Sequence, residues 1–312
     1  MDLAGLPQKL RNFYSGLASI ISIEPVGKGS GNTNLAVKTA AGPYFMKIIP
    51  PLQYKHLPRQ EKFYANIERA GLQTIAPLKN NMGQVVTEID GQKILVFPFE
   101  TLTEPAVNPA MAEAMGELVA KLHITQISEA ELAPAWDSRE RCLGLLEQLD
   151  EPTRAKYEKY RAYIEEVHDL PEGFVFHDVC PDNLYAKDGQ LLGFIDPEHA
   201  GYGEFIFDIA GAMIMSYFGR DDTFELCCRF LQGYTKHRTL TAEEGAKLFP
   251  ALIYMCVRLS LFFELKAPPK NTERITLRLG FADNLLKMGK PAFDKTLADI
   301  AAANGLKALW PA

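Results

Sequence analysis

The chain has 312 residues, 47% of them hydrophobic and 23% charged, with a net charge of −6 and a pI near 5.6. That length exceeds what one hydrophobic core usually serves, so two lobes are expected, and the composition excludes extended disorder. The acidic balance, with no dense run of lysine or arginine, argues against nucleic acid or an anionic membrane surface as partner.

The N-terminal run MDLAGLPQKLRNFY lacks a continuous apolar core and a small-residue cleavage site, so it does not read as a signal peptide. Residues 8–20 carry the spacing of a short amphipathic helix. Residues 21–49 are rich in strand formers and are broken by Gly27-Lys28-Gly29-Ser30-Gly31 and by Ala41-Gly42-Pro43, which predicts a twisted antiparallel hairpin. Pro58 introduces a helix over 59–70 that Gly71 ends. Strands follow around 84–89 and 93–97, turned at Asp90-Gly91. Phe97-Pro98-Phe99-Glu100 then breaks the strand, and 109–123 shows helical periodicity through Met111, Met115, Leu118 and Leu122.

The remainder is mainly helical, with short strand-like pieces at 174–176, 184–186 and 192–195. Leu248–Leu265 is long and apolar but contains Pro250, Arg258 and Glu264, so it reads as a buried helix and no membrane partner is expected. The five cysteines include no C-x-x-C pair, which disfavours a disulfide framework or a structural zinc site and fits a reducing, cytoplasmic setting. The expected organisation is therefore α+β: residues 1–97 a small lobe with an antiparallel sheet and one helix, 98–103 a hinge, and 104–312 a mainly helical lobe.

The chemistry concentrates in Phe174–Ala210. Asp178 is followed five residues later by Asn183, and Asp196 follows thirteen residues after that, behind the apolar run 191–195. Phosphoryl transfer needs a carboxylate to take the proton of an attacking hydroxyl, and hard oxygen ligands to hold Mg²⁺ against a triphosphate. Asp178 suits the first role, and Asn183 and Asp196 the second, if a short hairpin returns Asp196 to the same site. Between residues 162 and 219 there are eleven carboxylates and a single lysine, Lys187. Like charges at that density repel unless a cation sits among them. The plainer alternative, a solvated acidic face, suits Glu165, Glu166 and Asp169 better than Asp178, Asp196 and Asp208, which lie among Phe, Val and Ile.

The run Asp178-Val-Cys-Pro-Asp-Asn183, then Phe194-Ile-Asp196, then Asp208-Ile-Ala210, resembles the signature of aminoglycoside phosphotransferase-like small-molecule kinases. This superfamily includes choline kinases and type II homoserine kinases and shares the bilobal fold of protein kinases. Its pattern reads H-x-D-L-x-x-x-N, later I-D, later D-L-A. Here Phe176 holds the family histidine position and His177 directly precedes Asp178. In the family that histidine helps brace the catalytic loop against the later aspartate, here Asp208, so either His177 substitutes or an aromatic ring packs there.

The resemblance implies ATP and Mg²⁺ as cofactors and extends to the N-terminal half. Gly29, Ser30, Gly31 and Asn32 would contact phosphates from the glycine-rich hairpin. Lys47 would reach the α/β-phosphates and pair with a helix glutamate, Glu61 or, about two turns further on, Glu68. Phe97 and Phe99 would flank adenine at the hinge. His123, on the helix after the hinge, is expected to be structural. Gly31-Asn-Thr-Asn34 and Asp188–Asp196 are similar to type II homoserine kinases.

The acceptor is expected to be a small molecule met by Asp182, Glu198, His199 and Tyr202. A carboxylate-rich site suits an amine-bearing alcohol such as homoserine, an amino alcohol or an aminoglycoside. Arg258 would bind a substrate carboxylate or form an internal ion pair with Glu264, and Trp136 and Tyr234 would line the site or pack in the core. A homodimer is compatible with the sequence, which does not specify one. The rival reading is a pseudokinase that binds nucleotide without chemistry, invited by Phe176. A metal-dependent hydrolase would leave Lys47 and the glycine hairpin unexplained.

Overall fold

The computed structural model describes residues 5–26, 32–134, 138–266 and 268–306. The glycine-hairpin residues Gly29, Ser30 and Gly31, and also Trp136, lie outside the described residues.

The N-terminal part opens with helix α1 (Leu6–Phe13), whose Leu6 and Leu10 are buried. Strands β1 (Ile20–Pro25), β2 (Thr33–Thr39) and β3 (Gly42–Ile49) follow, then helix α2 (Leu57–Asn66) and strands β4 (Thr87–Ile89) and β5 (Gln92–Pro98). The five strands form one antiparallel sheet in the order β1-β2-β3-β5-β4. Sequence alternation explains the layering. Leu35, Val37, Met46, Ile48, Ile94 and Val96 turn to one face and bury against α1, while Phe45, Leu95 and Phe97 turn to the other. The β4–β5 turn runs through Asp90 at φ +52° and Gly91 at φ +72°, the paired left-handed geometry of a two-residue hairpin loop.

The larger, helical part contains α3 (Pro109–His123), α4 (Arg139–Leu146), α5 (Glu151–Ala155), α6 (Arg161–Glu166), α7 (Phe205–Ser216), α8 (Thr223–Thr235), α9 (Ala242–Lys266), α10 (Pro268–Met288) and α11 (Lys290–Ala303). Two antiparallel ribbons are set into it: β6 (Glu172–Val175) with β9 (Gly201–Glu204), and β7 (Leu184–Lys187) with β8 (Gln190–Phe194). Strand β9, with sequence GYGE, has no apolar alternation to announce it. Helices α3 and α8 cross so closely that an added Cβ on Gly116 would lie 2.0 Å from the Phe230 carbonyl oxygen, and one on Gly233 would lie 1.9 Å from that of Glu113. Helix α9 is long and apolar enough to span a membrane, but 78% of its apolar window is buried inside the protein, as expected for the central helix of a core.

One contact ties the N-terminal part to the β7–β8 ribbon. Gln73, in the connection after α2, bonds both ways to β8: its amide donates to Leu192 O at 2.9 Å and its carbonyl accepts from Phe194 N at 3.3 Å. Gly193 lies between them, and a Cβ there would meet the Gln73 carbonyl oxygen at 1.9 Å, so only glycine admits this approach.

Candidate active site

Strand β6 ends at Val175, and the chain then enters the loop that carries Asp178. The loop is held by Asp208, a fully buried carboxylate on α7. It accepts the backbone N–H of Phe176 at 2.8 Å, the backbone N–H of His177 at 2.5 Å and His123 Nε2 at 3.0 Å. Burial alone would raise its pKa; the hydrogen bond from His123, with the backbone donors, outweighs it and holds the carboxyl below its usual range. Burial lowers the pKa of His123 in turn, so its ring is neutral, donates from Nε2 and accepts the Tyr234 hydroxyl at Nδ1, 2.7 Å away. Arg238 donates to Tyr234 Oη at 2.9 Å and pairs with the buried Glu244 at 2.9 Å.

This network corrects the expectation for His177. Its backbone N–H joins the brace, at φ +63°, but its ring packs edge-on against Phe207. The bracing imidazole comes from His123, 55 positions upstream of Asp178 in the sequence. Phe176 cannot serve, because its ring is stacked on Phe194 with centroids 4.6 Å apart and packs against Phe63.

The short helical turn Pro181–Asn183 places Asn183 back over Asp178. Its Nδ2 donates to the Asp178 backbone carbonyl at 2.9 Å and to Asp178 Oδ2 at 2.7 Å. The β7–β8 hairpin then returns the chain, and Ile195 N bonds Asn183 O at 2.9 Å, so Asp196 arrives beside Asn183 as the spacing predicted. Asp196 sits at φ +60°, a left-handed conformation that costs a non-glycine residue on the order of 1 kcal/mol and points to a held side chain.

Lys47 Nζ lies 2.8 Å from Asp196 Oδ1. Glu61 is therefore not its partner. Glu61 is exposed and faces a separate recess lined by Gln84, Val86, Glu88 and Lys93. The side chain that α2 sends toward the site is Tyr64, whose hydroxyl pKa is pushed up by burial and then by the charges of Asp196 and Glu198. The helical phase of α2 decided this, and the sequence did not carry it.

Lys47 and Asp196 stand between two recesses. One, of about 350 Å³, is lined by Phe45, Ile75, Phe97, Phe99, Glu100 and Leu102, an apolar slot beside the segment that follows β5. Glu100 accepts the Tyr185 hydroxyl at 2.6 Å, which ties the segment after β5 to β7. Asp182 and Asn183 line this slot, and Asp182 is not among the residues lining the wider cleft. The other recess, a cleft of about 610 Å³, reaches from Asn32, Asp178 and Asp196 across Glu198 and His199 to Arg258 on α9. Tyr202 does not line it. Tyr202 is on β9, paired with Phe174, and its ring packs against the helical core. Asn32 Nδ2 donates to Glu198 Oε1 at 2.7 Å, a bond between the two lobes. The Glu198 carboxyl pKa is raised, first by burial and then by Asp196.

Residues 22–248 match the model of the phosphotransferase enzyme family. The chain belongs to that family. It is 27% identical over 255 residues to a homoserine kinase of Polaromonas naphthalenivorans, covering 77% of this chain and 80% of the relative. It is 26% identical over 265 residues to a homoserine kinase of Neisseria meningitidis serogroup B, covering 80% and 86%. Among solved structures, amicoumacin kinase hAmiN, in complex with AMP-PNP, Ca²⁺ and Ami, superposes with a TM-score of 0.71 at 16% identity, covering 91% of this chain and 94% of that one. Aminoglycoside phosphotransferase APH(4)-Ia gives 0.67 at 11% identity, covering 92% and 99%. The phosphotransferase is thus a small-molecule kinase with a kinase-like α+β fold, and its relatives fit the resemblance to type II homoserine kinases.

Proposed function

We propose that this phosphotransferase moves the γ-phosphoryl group of ATP to a hydroxyl of a small, amine-bearing molecule: homoserine-like, an amino alcohol or an aminoglycoside. The observation that carries the reading is the placing of Asp178, Asn183, Asp196 and Lys47 where two recesses meet. The apolar slot suits adenine, with backbone groups of the expected hinge at its edge, and the wider cleft suits the acceptor.

Asp178 faces the acceptor cleft, where it would take the hydroxyl proton as that oxygen attacks phosphorus. Asn183 fixes the Asp178 carboxylate through Nδ2, and Lys47 sets a positive charge where the triphosphate would cross between the recesses. Asn183 and Asp196 are the residues that would hold Mg²⁺. The Asn183 amide nitrogen is turned to Asp178, which turns its amide oxygen the other way, and the Asp196 carboxylate borders both recesses. One carboxylate and one amide oxygen suit this ion, which takes its other ligands from phosphates and water. Bound there, it would neutralise charge on the transferring phosphoryl oxygens. Glu198, beside Asp196 in the acceptor cleft, is the carboxylate best placed for an acceptor amine. The brace through His123 and Asp208 favours catalysis over the pseudokinase reading, because Phe176 does not leave the loop unsupported.

ADP release from Mg–ATP, measured with homoserine, ethanolamine, choline and several aminoglycosides, tests the proposal. Acceptor-stimulated turnover that falls at least about 10²-fold in Asp178→Asn, with AMP-PNP affinity kept, is the expected result. Equal turnover in the wild type and in both Asp178→Asn and Asp196→Ala would refute it.

A further inference from the structure

The N-terminal part sends two polar side chains to one short segment of the helical part. Asn32 precedes β2 and stands two residues before Asn34, which pairs across the sheet with Lys47. The two-residue period of an extended chain puts all three on one face, and all three line the wider cleft. Lys47 Nζ reaches Asp196 Oδ1 at 2.8 Å, and Asn32 Nδ2 reaches Glu198 Oε1 at 2.7 Å. The two carboxylates are carried by a single turn: Glu198 N donates to Asp196 O at 2.8 Å around Pro197, whose ring fixes φ.

The two contacts differ in charge. The Lys47 ammonium offsets the Asp196 carboxylate, whereas the Asn32 amide is neutral and orients Glu198 without cancelling its charge. A lysine or arginine at position 32 would do both. Glu198 lines the wider cleft, and its Oε2 accepts no hydrogen bond among the described residues. Asn32 Oδ1 is buried and meets no donor, which costs stability in a side chain kept only for packing. The bond to Glu198 is the one hydrogen bond that the Asn32 side chain makes among the described residues. Asn32 does not line the apolar slot, whereas Asn34 borders both recesses.

We propose that Asn32 is a positioning residue that sets acceptor specificity: its amide holds one oxygen of Glu198 so that the other meets the ammonium group of the acceptor. The proposal rests on the kinase reading above, with its acceptor amine at Glu198, and deepens it. It also separates Asn32 from the glycine hairpin with which the sequence groups it, because Asn32 then serves the acceptor and not the phosphates. A carboxylate fixed by its backbone turn and by one amide has little rotamer freedom left to lose when a cation binds, so it holds an amine more tightly than a free side chain would. The neutral bond leaves the full carboxylate charge for that cation.

Three matched pairs of probes test it by titration calorimetry in saturating Mg–AMP-PNP: homoserine against 4-hydroxybutyrate, ethanolamine against ethylene glycol, and glucosamine against glucose. In the wild type the amine of at least one pair is expected to bind about tenfold or more tightly than its match. Asn32→Leu, which keeps the size and removes the donor, should lower that ratio at least about fivefold, and Asn32→Ala should repeat the effect with a smaller side chain. The deciding readout is the Glu198→Gln background. There Asn32→Leu should change the ratio no further, because Asn32 acts through that carboxylate, whereas a merely structural role would add its effect in either background. A ratio unchanged in both Asn32 variants, an effect that persists in the Glu198→Gln background, or amines that bind no better than their matches would overturn the proposal. Failure of the wild type to bind Mg–AMP-PNP would instead sink the kinase reading, and the same ratios measured without nucleotide would still decide this one.

Discussion

Replacing Asp208 by asparagine removes one charge and keeps the shape, so its effect follows from the bonds the carboxylate makes. Asp208 Oδ2 accepts from His123 Nε2 and Phe176 N, and Oδ1 accepts from His177 N. An asparagine has one acceptor oxygen. Placed at the Oδ2 position it keeps two donors satisfied, but its NH₂ then faces the His177 N–H, donor against donor, in a site without solvent exposure. One charge-assisted bond is lost, at roughly 1.5–3 kcal/mol, and two others drop to neutral strength, so the total cost is about 3–5 kcal/mol. The thermal midpoint should fall by on the order of 10 °C. Because the broken bond holds the residue before Asp178, turnover should also fall, by about 10²-fold if the loop moves by 1 Å. Differential scanning calorimetry with steady-state ADP release measures both. An Asp208→Asn protein with the wild-type midpoint and wild-type kcat would show that the carboxylate does not brace this loop.

Further outcomes follow from other parts of the structure. Lys47→Ala should weaken Mg–AMP-PNP binding at least about tenfold, whereas Glu61→Ala should leave it within twofold, a contrast that calorimetry reads directly. Gly193→Ala should destabilise the protein by about 3 kcal/mol or more, because the added carbon would overlap the Gln73 carbonyl; urea unfolding would detect it, and an unchanged midpoint would deny that contact. The pKa of His56 is lower when folded than its unfolded value of about 6.5, so its contribution to stability is present above pH 6.5 and is lost as pH falls toward about 4. His56→Gln should flatten the stability–pH profile in that window.

Much of the fold was legible because its signals are local. The helix over 109–123 is bounded by the Asn108 cap, whose side chain accepts Met111 N, and its apolar spacing gave the observed limits. The Asp90-Gly91 turn and the apolar alternation of β3 and β5 fixed the hairpins. Strand β9 was missed because Gly-Tyr-Gly-Glu pairs through backbone groups without an apolar pattern.

The sequence by itself picked out Asp178, Asn183 and Asp196: a short turn and a hairpin between them would return Asp196 to Asn183, and that is the geometry found. It could not determine which remote side chains meet them, since those depend on helix phase and packing. Rotation of α2 sends Tyr64 toward Asp196 and leaves Glu61 outside. The α3–α8 crossing, closed by Gly116 and Gly233, brings His123 and Tyr234 together at Asp208. Charged side chains of α4, α9 and α10 come to line the wider cleft only in three dimensions, because charge in a sequence has no direction until the chain folds.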